Sequence, residues 1–387
     1  MASVGQRFQP SCPRSNRLLL TVGLTALVSA CGPARAPHVP PPARPVQNVL
    51  PLLTWLGEFT RPSGTVYPSL PSSAGFGSLS GLVRDPKSAQ WVGVIDDRDH
   101  SRVAWLSIDF SGGALHVVPT GMTPLRPGPG VPERIVTMAD LESIVALPDG
   151  TFLMNEEGHI TKGEAWPPVI LHATRDGVVT DIIKFPGAFQ LRPDQTSGVR
   201  DNQGIESLAV TPKGHLIAGL EQPLIEDGPP TSFAQGGRGR LVEFVRHGRG
   251  WRARRQWRYP IDPTPSIADF SVICDDGENG LVDLLALTET TLLSLERACL
   301  LDPATKETVS AIQIFAVEIG GADARKSLVL NLKTLASRLS PALDRLENFE
   351  GLAFGPPGPG GGRTLLVMSD DNFRASQKTA FLLFGLR

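Results

Sequence analysis

Short apolar runs separated by turn residues recur along the chain from about residue 50 onwards. Runs of four or five apolar or β-branched residues are too short for helices, and Pro-Asp-Gly or Pro-Lys-Gly triplets precede two of them, so they predict strands. Helical periodicity is found only at 326–346, where it predicts an interrupted helix. The clearest strand-like runs are 91–95, 151–154, 215–218 and 364–368.

A strand–turn–strand unit is repeated along the chain. Two clear copies lie at 140–157 and 204–221, and a third at 348–372 carries a Gly/Pro-rich insertion in its turn. A fourth copy lies at 79–98, and 282–297 is a degenerate fifth. Repeated units of this kind indicate a propeller or a solenoid.

The copies start at nearly even intervals. Glu142 follows Ser80 by 62 residues and Glu206 follows Glu142 by 64, while the 144 residues from Glu206 to Glu350 leave room for the degenerate copy. We favour a propeller over a solenoid, because closing the ring removes open sheet edges.

The sequence therefore predicts an all-β fold, a β-propeller-like repeat of five or six antiparallel blades. The predicted domain spans 48–387, and the runs 50–59 and 379–386 are candidates to close the ring together.

The first 30 residues have the layout of a cleavable export signal. Residues 18–30 are mostly apolar, too short to cross a bilayer as a helix, and end in Val-Ser-Ala before Cys31. Small residues before a cysteine match the lipobox of bacterial lipoproteins, which predicts lipidation of Cys31. An ordinary signal peptide cut elsewhere is the alternative. The part of the leader before the apolar run has no acid and three arginines, Arg7, Arg14 and Arg17.

Residues 31–47 form the lipidated cysteine and a Pro-rich linker, which favours extended conformations and acts as a spacer. Gly32 gives no acidic signal after the cysteine, which indicates the outer membrane by the usual sorting pattern. We thus expect an exported protein, lipid-anchored to the cell envelope on the periplasmic or surface side.

Charge and cysteine usage narrow the picture further. Removing the leader takes three of the 37 Lys and Arg and leaves 39 Asp and Glu, a net charge of −5 without a basic run, which argues against nucleic-acid binding. Cys12 leaves with the leader and Cys31 takes the lipid. Cys274 and Cys299 remain and predict a disulfide, because an oxidising compartment favours it and no His or further Cys lies near for a metal.

Acidic residues occupy the same two places in each clear copy. One lies at the start of a strand and another at the end of the next antiparallel strand, so both belong to one sheet edge. If the first strand is the innermost of its blade, the strand-start acids converge on one mouth of the channel. The pairs are Glu142 with Glu156 or Glu157, Glu206 with Glu221, and Glu350 with Asp370 or Asp371.

Converging carboxylates repel one another unless a positive charge lies among them. One solution is Ca²⁺, which binds oxygen ligands, and another is arginine, here Arg98, Arg297 or Arg374. No His joins the repeated blocks, which argues against Zn²⁺. The amides of Asn202, Asn348 and Asn372 add neutral ligands. The predicted metal ligands are Glu142, Glu206, Glu221, Glu350, Asp370 and Asp371. The predicted catalytic residues are Glu142, Glu206, Glu350, Arg297 and Arg98.

Taken together, the repeated blocks resemble a known family. Phe76-Gly-Ser-Leu-Ser-Gly-Leu82, Asn202-Gln-Gly-Ile-Glu206, Asn348-Phe-Glu-Gly351 and Ser369-Asp-Asp-Asn-Phe373 are similar to signature blocks of the "esterase-like activity of phytase" family. The resemblance runs from about residue 53 to the C-terminus and implies an exported protein with a hydrolytic site of esterase, phosphodiesterase or phytase type. Ser80 and Val282 stand where other copies have Glu, so any carboxylate ring is incomplete.

The sequence thus favours a metal-assisted hydrolase of phosphoesters or carboxylic esters, in which Ca²⁺ and a carboxylate base act on a small-molecule ester. Two alternatives stay open. One is a non-catalytic binding propeller of the cell envelope, whose acids cap blades. The other is a lactonase of the gluconolactonase kind, which fold analogy alone supports.

Overall fold

The computed structural model describes residues 50–70, 75–248, 250–275 and 277–387. The predicted leader, the lipidated Cys31 and the Pro-rich linker lie outside the described residues and stay predictions. Within the described ranges, no helix has the length and apolar character needed to cross a membrane.

Strands make up most of the regular structure of the described residues, which also contain one short helix, α1 (Glu133–Thr137), and 3₁₀ turns at Gly187–Phe189, Ile225–Asp227, Leu332–Arg338 and Pro359–Gly361. The strands are β1 (Leu53–Pro62), β2 (Leu79–Arg84), β3 (Trp91–Ile95), β4 (Arg102–Ser111), β5 (Ala114–Pro124), β6 (Arg126–Pro127), β7 (Leu141–Ala146), β8 (Phe152–Glu156), β9 (His159–Thr161), β10 (Glu164–Trp166), β11 (Val169–Ala173), β12 (Val178–Lys184), β13 (Ile205–Val210), β14 (Leu216–Leu220), β15 (Gly237–His247), β16 (Gly250–Ile261), β17 (Val272–Ile273), β18 (Gly280–Ala286), β19 (Thr291–Leu301), β20 (Thr308–Glu318), β21 (Arg325–Asn331), β22 (Asn348–Phe354), β23 (Thr364–Asp370) and β24 (Lys378–Leu386).

These strands form five blades in a ring, which confirms the predicted propeller and sets the blade number at five. From the axis outwards, blade 1 is β2-β3-β4-β5 and blade 2 is β7-β8-β11-β12, with β6 beside β12. Blade 3 is β13-β14-β15-β16. Blade 4 is β18-β19-β20-β21, with β17 also paired to β19. Blade 5 is β22-β23-β24-β1, so the first and last strands close the ring, as the sequence predicts.

Apolar packing holds adjacent blades together. Five hydrophobic clusters lie between neighbouring blades, one at each of the five interfaces. At the interface of blades 5 and 1, for example, Phe381 and Leu383 pack with Leu82 and Leu106. Because each blade is covered on both faces, a strand such as β3 or β14 is buried along its whole length. This explains why the strands read as continuous apolar runs rather than as an alternating pattern.

Close packing at the axis requires small residues. The five inner strands place Gly81, Ser143, Ser207, Asp283 and Gly351 at equivalent positions. A Cβ atom at Gly81 would lie 2.7 Å from the Cα of Ser143, so a larger residue has no room there. The channel is therefore filled at this level, one residue below the ring of predicted acids.

The disulfide between Cys274 and Cys299 is present, as predicted. The predicted helix at 326–346 is wrong. Its first residues belong to β21, which pairs with β20 at the edge of blade 4, and the 3₁₀ turn Leu332–Arg338 follows. Leu332 and Leu335 are buried at the three-residue spacing of a 3₁₀ turn, which imitates a helical period over a few residues.

Candidate functional site

Every inner strand has a β-bulge at the same place. The pairing of each with its hairpin partner shifts register by one residue near the start of the strand. A bulge leaves its extra residue outside the ladder and re-aims its side chain, and bulges are frequent beside active sites. The five bulged positions form what we call the inner ring, Ser80, Glu142, Glu206, Val282 and Glu350.

A second ring comes from the hairpin partners of the inner strands. In blades 1 to 3, its members donate their backbone N–H to the carbonyl two residues before the inner-ring residue, as Glu157 does to Asp140. In blades 4 and 5, the hairpin-ring member is the ladder partner of the residue two positions before the inner-ring residue, as Arg297 is of Gly280. This hairpin ring is Asp96, Glu157, Glu221, Arg297 and Asp370.

Most members of the two rings line one cavity of about 590 Å³. Its described lining includes three arginines, Arg98, Arg297 and Arg374, and seven carboxylates, Asp96, Glu142, Glu157, Glu206, Asp275, Glu350 and Asp370. A cavity of about 690 Å³ at the outer edge of blades 3 and 4 contains no member of either ring. We therefore take the axial cavity as the candidate site, although it is the smaller of the two.

Arg98 belongs to the first of two arginine pairs in this cavity. Its Nη2 lies 2.5 Å from Oδ2 of the fully buried Asp140, and it also donates to Asn202. Burial would lower the pKa of this guanidinium, but the carboxylates, Asp140 above all, outweigh burial and raise it. Arg98 therefore stays charged and neutralises one side of the cavity.

Arg297 forms the second pair, on the opposite side of the ring. Its Nη2 donates to Oε1 of Glu350 at 2.6 Å, and Asn348 Nδ2 donates to the same oxygen at 2.7 Å. Burial again opposes the charged form, and the attraction of Glu350, Glu221 and Glu206 outweighs it and raises the arginine pKa. The Nε atom of Arg297 is buried without a hydrogen-bond partner in the described chain, so one donor is left.

Three carboxylates of blades 2 and 3 form the acidic centre of the site. One oxygen of each of Glu142, Glu157 and Glu206 lies within 4.8 Å of the others. Burial, and then repulsion by neighbouring carboxylates, raises the pKa of all three well above the ordinary range. Asp96 and Asp140 form a second group with Glu142, which overlaps the first.

Asp96 of blade 1 and Asp370 of blade 5 also have raised pKa values. Burial and the nearby Asp140 and Asp370 raise the pKa of Asp96 to about 9. Burial and Glu350 raise the pKa of Asp370 to about 8. Both groups therefore hold protons at neutral pH unless a positive charge enters the cavity.

The structure decides between the alternative acids that the sequence analysis left open in two copies. Glu157 lines the cavity, whereas Glu156 accepts from the backbone N–H of Asp140 at 2.5 Å and contacts His159. Asp370 likewise lines the cavity. Asp371 instead accepts from the backbone of Ser78 at 2.9 Å, from Phe373 and from Thr379, so it joins blade 5 to the segment before β2.

Glu221 lies at the hairpin-ring position of blade 3, as its place in the repeat predicts. Its side chain packs against Gly280, where an added Cβ would come within 2.5 Å of its Cγ. It also contributes to the raised pKa of Glu206.

Four acids of the site, Asp96, Asp140, Glu157 and Asp275, were not among the predicted ligands and catalytic residues, and Glu157 was named only as an alternative partner of Glu142. Asp96 directly follows its hairpin strand as Glu157 and Glu221 do, and aligning the copies on that position would have found it. Asp140 starts a clear copy, but its partner Arg98 comes from another blade, and no spacing in the sequence reports that contact.

One known protein family matches most of this chain. The sequence profile of the family described as Phytase-like, esterase-like activity of phytase, matches residues 74–373. A search of curated proteins finds no match. An endo-arabinase from Bacteroides thetaiotaomicron is similar at 11% identity and a TM-score of 0.46, covering 85% of this chain and 97% of that chain.

Two further solved structures show weaker similarity. A gluconolactonase from Xanthomonas campestris matches at 11% identity and a TM-score of 0.36, over 82% of this chain and 74% of that chain. A glycosyl hydrolase from Bacteroides ovatus matches at 10% identity and a TM-score of 0.43, over 79% and 84%. Similarity at this level carries no conclusion about the chemistry of this chain.

Proposed function

This chain belongs to the Phytase-like family, esterase-like activity of phytase, and we propose that it is a Ca²⁺-assisted hydrolase of phosphoesters or carboxylic esters. The observation that carries the proposal is the bulged inner ring. Three of its five residues are glutamates, Glu142, Glu206 and Glu350, and all three line one axial cavity. A scaffold alone does not require buried acids whose charges repel one another.

The residues that would hold the cation are Glu142, Glu157 and Glu206. Ca²⁺ binds oxygens at about 2.3–2.6 Å, so ligands on opposite sides of it are about 5 Å apart. The 4.8 Å limit within which their oxygens lie fits that requirement, and every group offered is an oxygen. Ser80, at the inner-ring position of blade 1, adds a buried hydroxyl without a hydrogen-bond partner in the described chain.

The distribution of charge favours a cation at Glu142, Glu157 and Glu206 over the rest of the ring. Asp140 already has Arg98 and Glu350 already has Arg297 as positive partners. Glu142, Glu157 and Glu206 take part in none of the ion pairs found in the described chain. When bound, Ca²⁺ would supply a Lewis acid that polarises the scissile group.

The remaining groups fit the other tasks of ester hydrolysis. Arg297 lines the cavity, where its guanidinium would orient a substrate oxygen and stabilise the negative charge that develops on it. Glu350 and Asn348 hold that guanidinium in place. Asp370 lines the same cavity with a pKa of about 8, which suits it to transfer a proton near neutral pH.

The proposal is tested by nitrophenol release from a phosphomonoester, a phosphodiester and a carboxylic ester, each with Ca²⁺ and with a chelator. Turnover of one class should be lost with chelator and in Glu206→Gln. Glu133→Gln, at an exposed glutamate on α1, is the matched control and should keep full activity. A folded protein that turns over none of the substrates would rule the hydrolase out and favour a binding propeller.

Export and lipid anchoring are also part of the proposal. The disulfide supports them, because such bonds persist in oxidising compartments outside the cytosol. Metabolic labelling with a radioactive fatty acid should mark the protein and should fail to mark Cys31→Ser. Equal labelling of both would mean that Cys31 is not the lipidated residue.

A further inference from the structure

One wall of the axial cavity is apolar, unlike the rest of its lining. Val272 and Ile273 form β17, which pairs with Leu301 and its neighbour at the end of β19. All three side chains line the cavity, and Val272 is 41% exposed. We call Val272, Ile273 and Leu301 the apolar wall. An exposed apolar surface continuous with a charged cavity marks a place where a ligand buries hydrocarbon.

The wall is a fixed element rather than a loosely held loop. The disulfide from Cys274 to Cys299 joins it to β19, and Cys274 donates its backbone N–H to the carbonyl of Cys299 at 3.0 Å. Gly277 packs against both cysteines, since an added Cβ would lie 2.9 Å from each of their Cβ atoms. The apolar side chains therefore keep one position beside Arg297, which lies two residues before Cys299 on the same strand.

The charge of the cavity limits what can reach this wall. Seven carboxylates face three arginines in the described lining, and two of those arginines already pair with acids. With all seven carboxylates charged, one divalent cation would still leave the lining with a net charge of −2. A ligand with many phosphates would meet net repulsion here, whereas a neutral or singly charged ester would not.

We propose that the apolar wall binds the hydrocarbon arm of the substrate, so that this site selects weakly charged esters with an alkyl or aryl arm over polyphosphorylated polyols. This rests on the proposed hydrolase function and names its substrate class. Burying one CH₂ group fully strengthens binding about fourfold. An open groove gives about half of that free energy, which is a gain of about twofold for each CH₂ group. A hexanoyl ester, with four more CH₂ groups than an acetyl ester, should gain about fifteenfold in kcat/KM.

The test compares kcat/KM for nitrophenyl hexanoate and nitrophenyl acetate in three proteins. The hexanoate-to-acetate ratio should be about fifteen in the wild type and at least threefold lower in Val272→Ser. The matched control is Val118→Ser, at a valine of similar exposure on β5, which should keep the wild-type ratio. An equal ratio in all three proteins would overturn the proposal, and so would efficient hydrolysis of inositol hexakisphosphate.

Direct binding separates this inference from the hydrolase proposal. Hexylphosphonate and methylphosphonate carry no ester bond, so calorimetric titration in Ca²⁺ reports on the wall without turnover. If no ester is cleaved but hexylphosphonate binds at least tenfold more tightly, and Val272→Ser loses that preference, the wall is supported and the hydrolase is not. Equal binding of the two phosphonates, or binding of neither, would overturn the wall.

Discussion

Replacing Asp283 with alanine is expected to destabilise the whole propeller, because this residue ties inner strands together across the axis. Asp283 lies on β18 in the layer of small residues below the inner ring. Its carboxylate accepts from the backbone N–H of Leu352 on β22 at 2.6 Å and from Ser143 Oγ on β7 at 3.2 Å. Ser143 in turn accepts from the N–H of Leu208 on β13 at 3.1 Å, so one network joins blades 2, 3, 4 and 5.

The expected loss follows from the donors that alanine leaves unpaired. Asp283 also accepts from Leu284 N–H at 2.8 Å, and the site is 3% exposed. Each interior donor that loses its partner costs about 1–3 kcal/mol of stability. Removing the carboxyl offsets part of this loss, because its burial is itself unfavourable and raises its pKa. We expect a net loss of about 3 kcal/mol. Unfolding about 340 residues has an entropy of about 0.7 kcal/mol/K, so Tm should fall by about 4 °C.

The assay is thermal unfolding followed by circular dichroism, with Ca²⁺ and with chelator. The loss in Asp283→Ala should be the same in both conditions, because Asp283 is not one of the three proposed Ca²⁺ ligands. Asp283→Asn keeps an acceptor oxygen and should lose about half as much. The control Asp323→Ala removes only an exposed pair with Arg258 and should change Tm by less than about 1 °C.

Two outcomes would refute this reasoning. A Tm of Asp283→Ala within 1 °C of the wild type would mean that the cross-axis bonds contribute nothing net. A loss that appears only with Ca²⁺ would mean that Asp283 acts through the metal site and not as a structural tie between blades.

Three further predictions concern the site and its wall. Glu206→Gln should raise Tm in chelator, because it relieves repulsion among the carboxylates. In the wild type, Ca²⁺ at 100 times its Kd should add about 2.7 kcal/mol of stability and raise Tm by about 4 °C, and the variant should lose this rise. A full rise in the variant would place the cation elsewhere. In chelator, Tm should fall as pH rises from 6.5 to 8. The cause is that folded Asp96 and Asp370, with pKa values of about 9 and 8, keep protons that the unfolded chain has released above about pH 4. A flat or rising Tm would contradict this, and Ca²⁺ should reduce the fall. Replacing Cys274 and Cys299 with serine should lower the hexanoate-to-acetate ratio at least threefold, and an unchanged ratio in a folded variant would show that the wall does not need the disulfide.

The sequence predicted those parts of the site that repeat. Glu142, Glu206 and Glu350 could be placed at one channel mouth because each of their three copies has an acid at the start of one strand and another at the end of its hairpin partner, which share one sheet edge. The choice between Glu156 and Glu157 could not be made, because it depends on where the strand ends. A shift of one residue turns a side chain to the other face of the sheet.

The parts that could not be predicted arise from contacts between blades or from segments outside the repeat. The pairing of Arg98 with Asp140 joins blade 1 to blade 2. The apolar wall comes from the connection between β16 and β18, which has no counterpart in the other copies. Only the pairing of β17 with the far end of β19 brings these residues to the cavity.

The other non-repeating features, the apolar wall and the replaced acids, belong to blade 4, and under the proposed function they would let a nearly symmetric ring act on one substrate in one orientation. Blade 4 replaces the inner-ring acid with Val282 and the hairpin-ring acid with Arg297, so the ring loses two negative charges and gains a positive one on one side only. The same β19 that carries Arg297 continues to Leu301 and holds the apolar wall. A cation would therefore be drawn to the acids of blades 2 and 3, and a developing negative charge to Arg297 on the neighbouring blade 4, with the hydrocarbon arm beyond it. Restoring the repeat with Arg297→Glu should then abolish turnover while leaving room for a second cation, which a metal-to-protein ratio above one would reveal.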